Sequence, residues 1–345
     1  MKVLILGCGK ILDKHYKAIE KNGNKKFKIV GLCDKNANTL NKLKKKFKIK
    51  VYKNFVNAIK ETRPDIVSIL LPSGMHAKYV KTALKLNVHV IVEKPMCLRL
   101  KDSSNIIGLS KKYNKNVFVV MQNKFNLPVE KLMDDIKKKK LGRIFHGSVI
   151  VRWRRDQFYY NQSKWRGTWK YDGGVVSNQA SHHLDLLRSI MGEPLSVFAK
   201  NFNHLAKIEA EDTSLILFKF KNNKSAIMEA TTATRPKNLE GSITILGSKG
   251  SAKIGGFALN EISFYNLNNK SKKINLKKYH QKDLTHGHYK FYDHVFNCLK
   301  YKRKSQFSAF ESHKTIKLIN AIYRSSETSK EIFLKDNINS KLLGR

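Results

Sequence analysis

The opening 34 residues constrain this chain most. Lys2 to Leu6 (KVLIL) is a short continuous apolar run, the pattern of a strand buried on both faces. Gly7-Cys8-Gly9 follows at once, and a helical pattern runs from about Ile11 to Lys21. FKIVGLCD then reads as a second strand ending on Asp34. Strand, glycine turn, helix, strand and acidic residue, in that order, make a dinucleotide-binding unit. Gly7 permits the tight turn, and Gly9 lets the backbone approach a pyrophosphate. The helix N-terminus adds unpaired N–H groups and a positive dipole end. Asp34 is placed to accept hydrogen bonds from a ribose. Its charge repels a 2′-phosphate, so NAD is expected over NADP, a preference the adjacent Lys35 weakens. Leu12 stands where a third glycine is usual and is expected to push helix and strand apart or to rotate the helix.

The alternation continues. Helical patterns cover about 36–47, the stretch up to Thr62, 74–86 and 101–113. Strand patterns cover Lys50–Tyr52, Asp65–Leu70, Val88–Val92 and Val117–Met121. Strands alternating with helices predict a doubly wound parallel sheet, whose ligands sit beyond the carboxyl ends of the strands. Those ends and the residues around them are the expected cofactor contacts: Gly7, Gly9, Lys10, Ile11, Asp34, Leu71, Ser73, His76, Glu93 and Lys94. Lys94 differs from the other lysines. It ends an apolar strand and precedes Pro95, which favours extended or turn geometry. A lysine fixed in a half-buried cleft can have its pKa lowered by desolvation, which suits it to proton transfer.

The second half reads differently. A helix lies within Gln122–Lys138, with Pro128 near its first turn, and Gly142–Trp153 has strand character. Strand patterns then follow one another at Leu195–His204, Thr213–Phe220, Ser225–Thr232 and Ser242–Leu246, with turns at Asn222-Asn223 and Ser248-Lys249-Gly250. Strand after strand without helices predicts an antiparallel sheet. Helices at about 287–302 and 309–328 close the chain. The expected fold class is α/β: a Rossmann domain (1–121) and an α+β domain (122–345) with a large, open, mainly antiparallel sheet. A length of 345 residues, 41% of them hydrophobic, suffices for two cores.

Composition excludes some functions. No apolar run approaches the length of a membrane span, and Met1-Lys2-Val3 enters a strand pattern directly, so no membrane or secretory role is expected. Cys8, Cys33, Cys97 and Cys298 are scattered and read as reduced thiols of a cytoplasmic protein. The formal charge of +42 comes from 56 Lys and only 12 Arg. The lysines spread over every segment instead of forming one Arg-rich face, so nucleic acid is not an expected partner. The charge would attract anionic substrates.

Residues 160–192, YNQSKWRGTWKYDGGVVSNQASHHLDLLRSIMG, concentrate the polar chemistry of this half. Gly173-Gly174 marks a backbone break. Leu184, Leu187, Arg188 and Met191 recur at helical spacing beyond it, so His182, His183 and Asp185 open a helix. Adjacent histidines on a helix point about 100° apart, so no metal is expected there. Arg152, Arg154 and Arg155 can hold an anion bidentately or can be alternating strand residues in solvent.

Over essentially its full length the chain resembles the glucose-fructose oxidoreductase / inositol dehydrogenase / MocA (Gfo/Idh/MocA) superfamily. The resemblance is carried by Gly7-Cys8-Gly9 with His15 downstream, by Glu93-Lys94-Pro95, and by Gly173-Gly174 followed by Asn178-Gln179-Ala180-Ser181-His182-His183-Leu184-Asp185. The phrases YYNQSKWRGTW, NQASHHLDLL, EAEDTSLILFKF and ATTATRPKNLEGSITILGSKG are similar to the UDP-N-acetylglucosaminuronate 3-dehydrogenase (WlbA/WbpB-type) subgroup. The resemblance implies NAD-dependent oxidation of a UDP-sugar 3′-hydroxyl, preparing a 2,3-diamino sugar for surface polysaccharide. UDP-N-acetylglucosamine, another sugar or polyol, and a non-catalytic NAD sensor are the alternatives. The implied catalytic histidine is His182, with Asp185 as its partner. Asn178 stands where the superfamily often has Asp, which shifts proton transfer to Lys94 and His182. Either can be the base, and the other can hold the alkoxide. Asn178 would orient the hydroxyl, and Trp165 and Arg166 would line the nicotinamide–substrate junction. Lys94, Arg152, Arg166, Asn178, His182 and His183 are the expected substrate contacts. A homodimer or homotetramer built through the open sheet is also implied.

Overall fold

The computed structural model describes residues 1–23, 25–267, 275–283 and 285–345. The chain divides into two compact units. The first holds Met1–Cys97, Lys101–Gln122 and Thr285–His313; the second holds Leu98–Leu100, Asn123–Leu284 and Lys314–Arg345.

The apolar runs of the first unit become six parallel strands: β1 (Lys2–Leu6), β2 (Lys28–Cys33), β3 (Val51–Tyr52), β4 (Ile66–Ile69), β5 (His89–Val92) and β6 (Val117–Val119). Their order is β3-β2-β1-β4-β5-β6. Val3, Leu4, Ile5, Ile66, Val67, Ile69, Val90, Ile91 and Val92 are buried, as continuous apolar strands require. Helices α1 (Leu12–Asn22), α2 (Ala37–Phe47), α3 (Phe55–Thr62), α4 (Ser73–Lys85) and α5 (Leu100–Lys112) connect them. Asn36 and Asn54 start α2 and α3 by accepting the backbone N–H groups of Thr39 and Asn57, each at 3.0 Å. Leu12 is buried in the core at the start of α1. The sheet order reverses between β1 and β4, the switch point at which such sheets take ligands.

In the second unit, α6 (Leu127–Lys137), β7 (Ile144–Arg152), the short α7 (Gln157–Asn161) and α8 (Ser181–Met191) precede β8 (Ser196–Phe202), β9 (Thr213–Lys219) and β10 (Ser225–Thr231). Three more strands follow, β11 (Glu240–Gly247), β12 (Gly250–Gly255) and β13 (Glu261–Leu267). The sheet runs β13-β12-β11-β7-β10-β9-β8-β14, with β14 at Ile332–Phe333. It is antiparallel except between β7 and β10, which pair in parallel. The long excursion through α8, β8 and β9 allows that crossover, and a run of hairpins would not. One face is buried: Val149, Val151, Ile216, Phe218, Ala226, Met228, Ile243 and Ile245 form a core with Leu184, Leu187 and Met191 of α8.

Helix α9 (His286–Lys300) belongs to the first unit and packs on α1. Helix α10 (Ala309–Thr328) follows it. All four cysteines are buried and none is in a disulfide. Among the described residues, no helix is long and apolar enough to cross a membrane.

Candidate active site

The first unit brings its expected site residues together at the carboxyl ends of the strands. Gly7 has φ +96°, and a Cβ there would lie 2.8 Å from the Leu70 carbonyl oxygen, so only glycine fits between β1 and the end of β4. A Cβ at Gly9 would meet nothing within 4 Å. This is the open approach that a pyrophosphate needs. Asp34 folds back on the same turn: its Oδ2 accepts the Cys8 N–H at 2.7 Å and its Oδ1 accepts the Asn36 N–H at 2.9 Å. Glycine turn, helix start and acidic residue are thus in one place and fit a dinucleotide.

Further along the strand ends, His76 is fully buried, with Nδ1 2.8 Å from the Pro95 carbonyl and Nε2 2.6 Å from the Leu71 carbonyl. Burial pulls its pKa down, so the ring is neutral at neutral pH and donates to one of the two. This clasp ties the turn after β4 to the Lys94-Pro95 segment, whose peptide bond is cis. Ser73 opens α4 and is buried, whereas Lys10 is exposed and Ile11 and Leu71 are half-buried at the turns. Lys94 is half-buried, and its N–H lies 3.2 Å from Glu93 Oε2.

Glu93 is anchored from inside. His15 Nε2 lies 2.9 Å from Glu93 Oε1, His15 Nδ1 lies 2.8 Å from the Tyr292 hydroxyl, and that hydroxyl lies 3.1 Å from Ser68 Oγ. Burial alone would raise the Glu93 carboxyl; the His15 bond and the charges of nearby groups outweigh it and hold the pKa at about 2. An ionised Glu93 needs a donor, so His15 Nε2 carries a proton toward it. His288 lies beside them, with one ring nitrogen within 4.8 Å of a ring nitrogen of His15 and of a carboxylate oxygen of Glu93. Burial lowers its pKa to about 3, so it adds no charge. The sequence marks His15 but gives no sign that α9 supplies His288 and Tyr292 beside it.

The second unit carries its expected site residues Asn178 and His182 on the loop before α8 and on that helix's first turn. Gly174 is needed there because a Cβ would fall 2.0 Å from Glu211 Oε2. Glu211 is buried, and its Oε1 accepts from Val176 N–H at 3.1 Å and from the Tyr323 hydroxyl at 2.9 Å. Burial pushes its pKa up to about 8, against the pull of those bonds. Asn178 and His182 are half-buried. Asn178 Nδ2 donates to Asp172 Oδ1 at 2.6 Å. Asp185, expected to partner His182, is instead held by Lys124 at 2.6 Å, by the Thr315 hydroxyl at 2.5 Å and by Arg188 at 3.4 Å. It is buried and anchors α8 in place.

Other expected substrate contacts also have protein partners. His183 is fully buried edge-on to Trp153, with ring centroids 5.8 Å apart, and burial lowers its pKa to about 4. Arg152 forms a bidentate pair with Glu229, both contacts at 2.6 Å, with Glu240 at 3.7 Å. The strand alternation puts it on the outer sheet face, where cross-strand carboxylates claim it. Arg154 pairs with Asp156 at 2.6 Å. Arg166 lies over the Tyr159 ring at 4.2 Å and the Trp165 ring at 4.7 Å, and it donates to the Tyr159 hydroxyl. It edges a cleft of about 620 Å³ that Lys164, Gly167, Thr168 and Lys207 also line.

Residues 1–121 match the Gfo/Idh/MocA oxidoreductase family, NAD-binding Rossmann fold, and residues 133–334 match the same family's C-terminal alpha/beta domain. Among solved structures, the chain is similar to the WlbA dehydrogenase of Bordetella pertussis in complex with NADH and UDP-GlcNAcA. The identity is 31%, the TM-score is 0.92, and 96% of this chain and 97% of that one are covered. The WlbA dehydrogenase of Chromobacterium violaceum, with the same two ligands, matches at 33% identity and TM-score 0.89, covering 96% and 95%. Myo-inositol 2-dehydrogenase of Thermotoga maritima is 23% identical over 72% of this chain and 74% of its own length. The oxidoreductase YteT of Bacillus subtilis is 26% identical over 50% of this chain, which spans only 42% of YteT. The chain belongs to the Gfo/Idh/MocA oxidoreductase family, and its first unit is that family's NAD-binding Rossmann fold.

Proposed function

We propose that the protein is an NAD-dependent dehydrogenase of a UDP-sugar, oxidising the 3′-hydroxyl of UDP-N-acetylglucosaminuronate to a ketone. The observation that carries this reading is similarity above 30% identity, over 96% of the chain, to two dehydrogenases whose structures hold NADH and that sugar nucleotide. The glycine turn and Asp34 hold the dinucleotide, with Gly9 giving the backbone its close approach. When bound, NAD takes up the hydride that leaves the sugar carbon. Lys94 and His182 divide the remaining work: one removes the hydroxyl proton, and the other stabilises the oxygen as charge develops. Asn178 orients the sugar. Trp165 and Arg166 sit at the edge of the reacting site, and the lysines along the Arg166 cleft favour an anionic substrate. The reaction prepares a diamino sugar for surface polysaccharide in the cytoplasm, and the working form is a homo-oligomer joined through the open sheet face.

The test mixes the purified protein with NAD and either UDP-N-acetylglucosaminuronate or UDP-N-acetylglucosamine and follows NADH absorbance. A product two hydrogens lighter, formed from the uronate alone, supports the assignment. Turnover of UDP-N-acetylglucosamine alone, which lacks the sugar carboxylate, overturns the uronate and leaves a dehydrogenase of another substrate. No turnover with either, while NAD binds, favours a sensor.

A further inference from the structure

Asp172 is 2% exposed, and both of its carboxylate oxygens are in use. Oδ1 accepts from Asn178 Nδ2 at 2.6 Å, and Oδ2 accepts from the Gly167 N–H at 2.8 Å. Its own backbone is fixed as well: its N–H donates to the Thr168 carbonyl at 3.0 Å, and its carbonyl accepts from Ser177 Oγ at 2.5 Å. A carboxylate accepts and an amide donates only through nitrogen, so this contact decides which way the Asn178 amide points. A flipped amide would set two acceptor oxygens against each other. Asn178 Oδ1 therefore faces away from Asp172.

We propose that Asp172 is a positioning residue that fixes Asn178 as a hydrogen-bond acceptor toward the sugar, and that its carboxylate is the reason for an amide at position 178. The proposal rests on the functional reading above, in which Asn178 orients the substrate. The group it recognises is a donor on the sugar, either a ring hydroxyl or the N–H of an acetamido substituent. A carboxylate at position 178 would bring two acidic oxygens to hydrogen-bond distance in a poorly solvated loop. Such a pair must share a proton, as like charges at that distance cannot both ionise cheaply. Asp172 also holds the Arg166-Gly167 turn, so one carboxylate sets the amide and the turn that carries Arg166.

The test compares the wild type with Asn178→Asp, Asp172→Asn and the double exchange Asn178→Asp/Asp172→Asn. NAD binding, thermal midpoint from about pH 5 to about pH 8.5, and kcat and KM with the uronate are measured for each. Asn178→Asp should lose kcat on the order of 10²-fold at neutral pH, with NAD affinity unchanged. Its thermal midpoint should fall more steeply with rising pH than that of the wild type, as the shared proton is lost. Asp172→Asn should lower kcat without the added pH slope. The exchange rebuilds the bond with reversed polarity and keeps an acceptor at position 178, so it should remove the extra slope and recover most of kcat. The proposal is overturned if Asn178→Asp unfolds with the pH dependence of the wild type, or if the exchange recovers nothing while its NAD binding is intact. If Asn178→Asp does not fold at high pH, the exchange must fold there, and its failure to do so also overturns the proposal. A wild type inactive on the uronate defeats the functional reading separately, and the thermal comparison then decides the Asp172–Asn178 coupling.

Discussion

At the scale of single residues, the proposed function gives Lys94 and Asp34 two separable tasks, proton transfer and cofactor binding. Lys94→Met keeps a long unbranched side chain and removes the ammonium group. Turnover should fall at least 10²-fold, the usual scale for a lost proton-transfer group, while NAD still binds. Normal turnover in that variant would defeat the site assignment. Asp34→Ala removes the acceptor that faces the glycine turn and leaves the Cys8 N–H without its partner. A charge-assisted hydrogen bond is worth about 1.5–3 kcal/mol, so NAD affinity should drop roughly ten- to a hundredfold in a fluorescence titration. Unchanged affinity would show that Asp34 only braces the turn. Their surroundings were legible because each stands just past a strand end, Lys94 before Pro95 and Asp34 against the Gly7-Cys8-Gly9 turn. Those of Arg152 and His183 were not. Sequence gives their type and spacing, but neither the carboxylates of Glu229 and Glu240 nor the Trp153 ring can be inferred from an adjacent position.

At the scale of elements, the loop that delivers α8 hangs on one buried carboxyl group. Val175 N–H donates to the Glu211 carbonyl at 3.1 Å, Val176 N–H to its side chain, and Gly174 N–H to the Tyr323 hydroxyl at 3.0 Å. Folding raises the Glu211 pKa from an ordinary 4.5 to about 8 because burial penalises the charged form. A folded pKa above the unfolded one means that the folded chain keeps a proton the unfolded chain has released. This contribution to stability is complete below the unfolded pKa and is lost as pH rises through about 8. Glu211→Gln keeps the shape and an acceptor without the titration. Its thermal midpoint should therefore fall less than that of the wild type between pH 5 and pH 8.5, by roughly the pH slope of a single proton. Parallel curves for the two proteins would locate the titration elsewhere. The loop's Gly173-Gly174 pair was visible in the sequence, but the carboxylate that requires Gly174 stands 37 positions later. Most regular elements were legible, since apolar runs and helical periodicity are local. Strands β12, β13 and β14 were missed: β12 starts and ends on glycine and β14 has two residues, while β13 (EISFYNL) is half-exposed and lacks a continuous apolar run, and the parallel pairing of β7 with β10 depends on a crossover that no local pattern encodes.

At the scale of the whole molecule, the eight-stranded sheet buries one face and leaves the other open. Phe198, Leu217 and Ile227 stand opposite one another on β8, β9 and β10, so their side chains share the open face. They are 36%, 56% and 43% exposed, and Leu215 on the same face is 48% exposed. Edge and centre are not equivalent here. Lys200 and Glu229 flank Leu215 in register, so an apolar centre carries charged neighbours, the composition of a surface that pairs with another protein and is not simply solvated. A second copy is the partner we expect. A two-fold axis places the same patch on both sides and opposes like residues along the row. A carboxylate at the centre of that row would meet its own image in a desolvated layer. Leu217→Glu should therefore raise the dissociation constant about tenfold or more, and light scattering at low micromolar concentration should show the mass of one chain where the wild type shows two or four. Leu217 lies outside the core of the single chain, so NAD binding to the first unit should survive the substitution. A wild type that scatters as a single chain at every concentration would remove the oligomer from the proposal and leave the open face to a different partner.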